Sequence, residues 1–530
     1  MPVTYDLVPY PSYAYGYTHP DTLATAATLL GLKPAPVERC RVLELGCASG
    51  GNIIPMALDL PESRFVGIDY SARQVADGQV AVAALGLKNI ELEHRDILEV
   101  QPDLGQFDYI IAHGIYSWVP QPVQEKLLDV CRQNLTPHGL AYVSYNTFPG
   151  WHAFGAFRQM MLYHTRNIQD PKMRTTQARA LLEFLAESVP PEGDALGLLS
   201  SYTTLLKKEL ERWKSQSDSY LFHDELEEVN EPIYFYQFVE RAERQGLQYL
   251  CDADLGQSFS TNMPPAVTEG LLKMSHNLVE MEQYMDFVRN QSFRRTLLVH
   301  QGVHVNRSIR PDRLASLFVS SHAVPVSSSP DIRSISVEEF RAANGAALTT
   351  DHPVTKAAMA HLRQAWPTVL AFDELLDAAY TFLDAGAAPT PGQRARDAQV
   401  MSANLLKGFI YSDQLIELRS HAPRCVTTVG ERPLASPWAR FLADEGHRVT
   451  NLRHESVDLR ESDRYVLRQL DGAHDRKMLW DGLAKELAAG TLVLRRSDQP
   501  IQDIHEAQQI LVEEIDDVLK ELAHAALLIG

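Results

Sequence analysis

No apolar run in this chain comes near the ~20 residues that a bilayer-spanning helix requires, so no membrane insertion is expected. The opening residues, MPVTYDLVPYPSYAYGY, carry no basic stretch followed by an apolar core. No secretory signal is therefore expected, and a cytoplasmic location is the default. Cysteine is scarce: Cys40, Cys47, Cys131, Cys251 and Cys425 are scattered with no CxxC pair. That spacing gives no disulfide framework, and no metal site is read from it. Basic residues are outnumbered, with 49 Lys and Arg against 68 Asp and Glu for a net charge of -19. Without a concentrated basic stripe there is no footprint for a phosphate backbone, and no nucleic-acid partner is expected. What remains is ordinary globular composition, 45% hydrophobic and 22% charged over 530 residues, a length that calls for more than one domain.

Between Arg41 and Asn146 short apolar strands alternate with amphipathic helices. RVLEL (41–45), RFVGID (64–69), IELEHRD (90–96), FDYIIAHG (107–114) and GLAYVSYN (139–146) read as strands. Strand–helix alternation of this kind builds a parallel, doubly wound α/β sheet. From about Trp151 to Leu226 the period is helical without a strand-like break, so 151–226 is read as a helical insertion. Two later strands, near 247–253 and 295–300, are expected to complete the sheet as an antiparallel pair. Beyond Val303 a Ser/Pro/Val connector leads to short helices and small strand pairs. APTPGQRARD (388–397) is read as a loop and AQQILVEEIDDVLKELAHAAL (507–527) as the last helix. The expected organisation is a Rossmann-like domain over 1–303, a middle domain over 304–425, and a mainly helical, winged-helix-like domain over 426–530.

The sharpest motif is VLELGCASGGN, a strand running into a glycine-rich turn and a helix. A dinucleotide fingerprint would place glycine at position 48, where this chain has Ala48. The pattern instead is an acid, Glu44, followed by Gly46 and Gly50. An acid inside the first strand suits a ligand bearing an ammonium group, which points to S-adenosylmethionine. Asp69 ends the second strand, where a carboxylate can accept from ribose hydroxyls. Asp96 follows the third, placed for an adenine amino group, with Ile97 against the ring. Each Asp alone is commonly a helix cap; the three in order on successive strand ends make the pattern specific.

The stretches YDLVPYPSYAYGYTHPDTLATAATLLGLKP, VLELGCASGGNIIPMAL, FDYIIAHGIYSWVP and SYNTFPGWH resemble the bacterial class I S-adenosylmethionine-dependent methyltransferases that carry a methyltransferase regulatory domain. HDELEEVNEPIYFYQFVERAERQGLQYL and EQYMDFVRNQSFRRTLLVH resemble that regulatory domain, here about 223–303. The family includes protein lysine methyltransferases acting on rickettsial outer-membrane protein. The resemblance implies a class I fold of seven strands, S-adenosylmethionine as cofactor, and a cofactor site lined by Glu44, Gly46, Gly50, Asp69 and Asp96. It also implies a protein substrate, among which outer-membrane or surface proteins figure; a homodimer is compatible with it. Strand-end position adds Cys47, Ala48, Tyr70 and His113 to the cofactor site. The loops HGIYSWVP and YNTFPGWH leave the fourth and fifth strands beside the transferred methyl group. Tyr116, Trp118, Tyr145, Asn146, Trp151 and His152, with His113, are expected to wall the acceptor channel. The N-terminal stretch is expected to fold over as a lid through Tyr10, Tyr13 and His19. Lysine methylation is the expected activity, with small-molecule methylation or catalysis-free cofactor sensing as alternatives. A Tyr or a His is expected to take the acceptor's proton. The large second half is expected to dock an extended substrate, its alternative role being to cover apolar surface of the first.

Overall fold

The computed structural model describes residues 10–188, 198–214, 216–383, 389–489, 495–496, 499–500 and 515–530. Seven strands make one sheet: β1 Arg41–Leu45, β2 Arg64–Asp69, β3 Ile90–His94, β4 Phe107–Ala112, β5 Leu135–Asn146, β6 Leu247–Asp252 and β7 Phe293–His300. Their order is β3-β2-β1-β4-β5-β7-β6. The first five run parallel, and β7 lies antiparallel between β5 and β6. This is the class I methyltransferase fold, with the late strand pair where the apolar runs predicted it. The chain builds outward from β1 in one direction, then returns to build from β4 in the other. That reversal leaves a crevice at the carboxyl ends of β1 and β4.

Local chemistry explains the flanking helices. Pro20 starts α1 (Pro20–Leu29), and the His19 side chain accepts from Asp21 N as its cap. Helix α2 (Ile53–Asp59) follows the glycine turn. Ser71 caps α3 (Ala72–Ala84) by accepting from Gln74 N. Helix α4 (Gln121–Asn134) covers the β4–β5 side. The insertion holds α5 (Trp151–Thr165), α6 (Pro171–Ser188), α7 (Leu198–Lys214) and α8 (Asp218–Glu225), packed around Met161, Leu182, Trp213 and Leu221. Helix α9 (Phe235–Arg244) then leads into β6, burying Phe235, Phe238, Val239 and Ala242 on one face.

The second half begins with short strands and three helices, Pro353–Ala365, Phe372–Leu383 and Pro391–Tyr411. The loop expected over 388–397 is helical from Pro391, because Thr390 accepts from Gln393 N and Pro391 occupies the first turn. A winged-helix region follows: Pro437–Glu445, a hairpin of Arg448–Thr450 with Ser456–Asp458, then Glu461–Gln469 and Arg476–Ala489. The expected last helix is present over 515–524; its first part, 507–514, lies outside the described residues. This region has a core of its own, centred on Val466, Leu483, Leu519 and Leu527. The middle region does not. One apolar cluster runs unbroken from Leu23, Tyr109, Tyr142 and Val299 on the sheet side to Val319, Met359, Leu405, Leu418 and Trp438. All five cysteines are buried and unbonded.

Candidate active site

A cavity of about 840 Å³ opens at the carboxyl ends of β1, β2, β4 and β5. Its floor is the glycine turn. Gly46 has φ +75, and a side chain there would collide with Ile115. At Gly51 a Cβ would lie 2.3 Å from the carbonyl oxygen of Ser12, so the N-terminal strap presses directly on the turn. Ser12 Oγ also accepts from Gly51 N at 2.8 Å.

Glu44 is 3% exposed, and its Oε1 accepts from Asn52 Nδ2 at 2.6 Å. Its Oε2 is buried with no hydrogen-bond partner. Burial pushes its carboxyl up to about 8, helped by the nearby charge of Asp69 and opposed by the Asn52 bond. An orphaned buried carboxylate oxygen is costly unless a donor meets it, and a cationic amino group would do so. Asp69 accepts from Ala48 N and Ser71 N, both at 2.8 Å, so it also ties the turn to the end of β2. Asp96 accepts from Leu98 N at 2.9 Å, and Ile97 lies beside it on the cavity wall. Cys47, Ala48 and Tyr70 line the cavity as expected, Tyr70 being 57% exposed at its rim.

Gly50 does not line the cavity. It turns with φ +81 against Ile54 and Leu92, shaping the loop from behind. His19, expected in the lid, is buried under the strap instead, capping α1 with its ring 5.1 Å from that of His454. Burial lowers its imidazole to about 4. Tyr10 and Tyr13 do line the cavity, as does Tyr15, which the motif reading passed over.

The side of the cavity expected to take the acceptor is lined by Trp118, Asn146 and Trp151, with the two indoles edge to face at 6.3 Å. Phe154 extends this wall along α5. Three expected wall residues are elsewhere. Side chains alternate along β5, so Asn146 faces the cavity and Tyr145 the opposite side, stacked on Phe238 at 4.1 Å. Tyr116 is fully buried on that same side, its ring 5.1 Å from Phe238. His152, one helical step from Trp151, stacks on Phe148 at 4.2 Å and bonds Tyr234 Oη at 3.1 Å.

His113 is on the wall. Its Nδ1 lies 2.9 Å from Tyr142 Oη and 3.2 Å from Ser144 Oγ, with the Tyr15 ring 4.0 Å away. Burial, with the charge of Arg295 adding, lowers it to about 3. It stays neutral at ordinary pH and is a poor proton acceptor. Burial likewise raises Tyr15, with Asp224 and Glu44 next among the causes. The roof is α8, from which Tyr220, His223, Asp224 and Glu225 reach the cavity. These four carry no local sequence signature.

Asn52 joins the halves of the molecule. Its Oδ1 accepts from Tyr15 N at 3.0 Å and Thr18 Oγ1 at 3.0 Å, and lies 2.9 Å from His454 Nε2. His454 comes from the turn of the Arg448–Asp458 hairpin and adopts φ +64. Nearby, Asp21 accepts from Arg419 Nη1 at 3.1 Å and Ser420 Oγ at 2.9 Å, and His421 Nε2 stands 3.3 Å from Asp59. Tyr17 Oη donates to Asp413 at 2.6 Å. The strap is thus held by the second half.

Comparison with known proteins bears on this geometry. Family profiles match residues 42–139 as a methyltransferase domain, 217–300 as a predicted methyltransferase regulatory domain, and 431–527 as the PKMT C-terminal winged helix domain. An uncharacterised protein of Rickettsia prowazekii is 35% identical over 534 residues, covering 99% of this chain and 93% of that one. The structure of PKMT2 from Rickettsia typhi superposes with TM-score 0.85 at 28% identity, covering 98% and 100% of the two chains. Its complex with AdoHcy gives 0.84 at 29% identity with the same coverage. No helix among the described residues is long and apolar enough to cross a membrane, and no cluster of possible metal ligands occurs among them.

Proposed function

The chain belongs to the methyltransferase family that joins a class I domain to a regulatory domain and a PKMT-type winged-helix C-terminus, and from that premise we propose that it methylates lysine side chains of a protein substrate. It is an S-adenosylmethionine-dependent methyltransferase. Bound in the cavity, that cofactor supplies a sulfonium methyl group as the electrophile. In our reading Glu44 Oε2 receives the cofactor's ammonium, Asp69 its ribose hydroxyls and Asp96 its adenine amino group. The orphaned oxygen of Glu44 supports this fit, since no donor among the described residues meets it and a cationic amino group would.

The observation that carries the lysine reading is the composition of the cavity lining, in which two indoles and a phenyl ring share the space with the carboxylates of α8. Aromatic faces attract ammonium groups, and their desolvation favours the neutral amine that must attack. Transfer at a sulfonium is an in-line displacement, so positioning and local field are the main contributions of the protein. The PKMT relative of known structure supports a protein acceptor. Incubation of the protein with labelled S-adenosylmethionine and bacterial lysate tests the reading. Label on lysines of protein is expected; label confined to small molecules, or no label, would overturn it.

A further inference from the structure

Building on the lysine reading, we propose that Asp224, near the carboxyl end of α8, receives the acceptor's ε-ammonium and takes its proton. Asp224 is held in place by hydrogen bonds from Tyr220, on its own helix, and Tyr10, on the N-terminal strap. Its Oδ2 has neither solvent exposure nor a hydrogen-bond partner. Beside it Glu225 is 3% exposed, with Oε1 bonded to Arg212 at 2.8 Å and Oε2 without a partner. Arg212 is shared, since it also donates to Glu209 Oε2 at 2.8 Å. Glu209, Asp224, Glu225 and Glu227 here face two guanidiniums, Arg212 and Arg158. His223 Nδ1 also stands 3.5 Å from Glu227 Oε2. The roof therefore holds more carboxylates than guanidiniums, and Asp224, Glu225 and Glu227 each keep one buried oxygen without a hydrogen bond among the described residues. A cation is the ligand that such a place needs.

The same cavity wall offers that cation a fitting surface. Trp118, Trp151 and Phe154 line the same cavity as α8, Phe154 lying 5.3 Å beneath the Arg212 guanidinium, and present ring surface to an alkyl chain and its ammonium head. Tyr15 feels the charges of both Asp224 and Glu44, so the roof acid stands within electrostatic reach of the cofactor end. The other proton acceptors expected at this site are unsuited, because burial holds His113 neutral and raises the Tyr15 and Tyr220 phenols. Asp224 and Glu225 are the carboxylates left, and Arg212 already occupies one oxygen of Glu225. In the step that follows, the ε-ammonium gives one proton to Asp224 Oδ2. The freed nitrogen lone pair forms the N–C bond as the C–S bond breaks, its electron pair remaining on sulfur. The product leaves as a methylated ammonium, and Asp224 gives the proton it took to solvent.

The test uses the full chain carrying Asp224→Asn, which keeps the shape of the side chain, and Asp224→Glu. AdoHcy affinity measured by calorimetry should stay within about twofold in both. Binding of n-butylammonium to the AdoHcy-loaded protein, followed by ligand-observed NMR, should weaken at least tenfold in Asp224→Asn and recover in Asp224→Glu; n-butanol should bind neither form well. Lysine labelling in lysate should fall at least 100-fold in Asp224→Asn. Equal butylammonium binding by wild type and Asp224→Asn, or labelling at the wild-type rate, would overturn the assignment. So would a tenfold loss of AdoHcy affinity, which would place the acid in the cofactor site. If wild type labels no lysine yet binds butylammonium through Asp224, the ammonium site stands and the protein-lysine reading alone fails.

Discussion

The two ends of the cavity are built by different means. The cofactor end is made of strand termini and backbone: Glu44, Asp69 and Asp96 on three neighbouring strands, joined by a glycine turn within about sixty residues of sequence. The end proposed to take the acceptor is made of side chains from the strap, the loops after β4 and β5, and a helix near residue 220. A parallel sheet places its strand ends together whatever surrounds it, so the first end can be read locally. The second exists only through tertiary packing. The difference also extends to support, because Asn52, which holds Glu44, is itself contacted by His454 from four hundred residues later.

The largest expected effect tests how separable the ends are. Deleting residues 304–530 should yield insoluble protein, or protein without AdoHcy binding, because the apolar cluster on one face of the sheet is completed by Val319, Met359, Leu405 and Leu418. The earlier expectation, in which the second half only docks substrate, requires a soluble fragment with unchanged AdoHcy affinity by calorimetry; that result would restore the comparison to two independent modules. Next comes Asp69→Ala. It removes a carboxylate that also anchors Ala48 N and Ser71 N, and should weaken AdoHcy by roughly 1–3 kcal/mol, about 5- to 150-fold. Unchanged affinity would show that the cofactor end does not depend on its strand-end acids.

A smaller effect is expected from His454→Ala, at a residue that does not itself line the cavity but contacts Asn52, which does. Loss of one buried contact to Asn52 should lower AdoHcy affinity by about 1 kcal/mol while leaving the fold's circular dichroism unchanged. No change at all would separate the winged-helix region from the cofactor end. The smallest signal is a proton. Glu44 is raised to about 8 in the free protein, first by burial, then by Asp69, with Asn52 opposing. Its folded value lies above the unfolded one, so its contribution to stability is present below about 4.5 and lost as pH rises through about 8. A cationic ligand reverses the preference and expels the proton. Calorimetry of AdoHcy binding near neutral pH in buffers of different ionisation enthalpy should therefore show release approaching one proton per ligand, fading above about pH 8. Release of none would place the ligand's ammonium elsewhere.

How much of this was legible in the sequence follows the same division. Strands that alternate with helices, and acids at their ends, are period and position signals; β1 to β7 follow from them, and Glu44, Asp69 and Asp96 all line the cavity at the strand ends. Of the residues expected on the acceptor wall, part line the cavity. Trp118, Asn146 and Trp151 stand at the cavity, but Tyr116, Tyr145 and His152 turn away from it. Proximity in sequence could not tell these apart, since adjacent positions on a strand or helix point in different directions. Asn52 sat in the quoted motif, and Tyr15 in the quoted strap, without a local reason to prefer them over their neighbours. Asp224 and Glu225 lie in the stretch read only for its resemblance to the regulatory domain, and nothing local in it marks them as cavity residues.

The unbroken apolar cluster also sets an order of events during synthesis. The last strand of the sheet ends at His300, yet the partners that cover one face of it continue to Leu418 and Trp438. A ribosome extends the chain residue by residue, so the nascent methyltransferase half must wait with that face of the sheet only partly covered. Such a half-finished sheet is the species a holding chaperone would meet, and slowing translation just after residue 300 should lengthen that meeting.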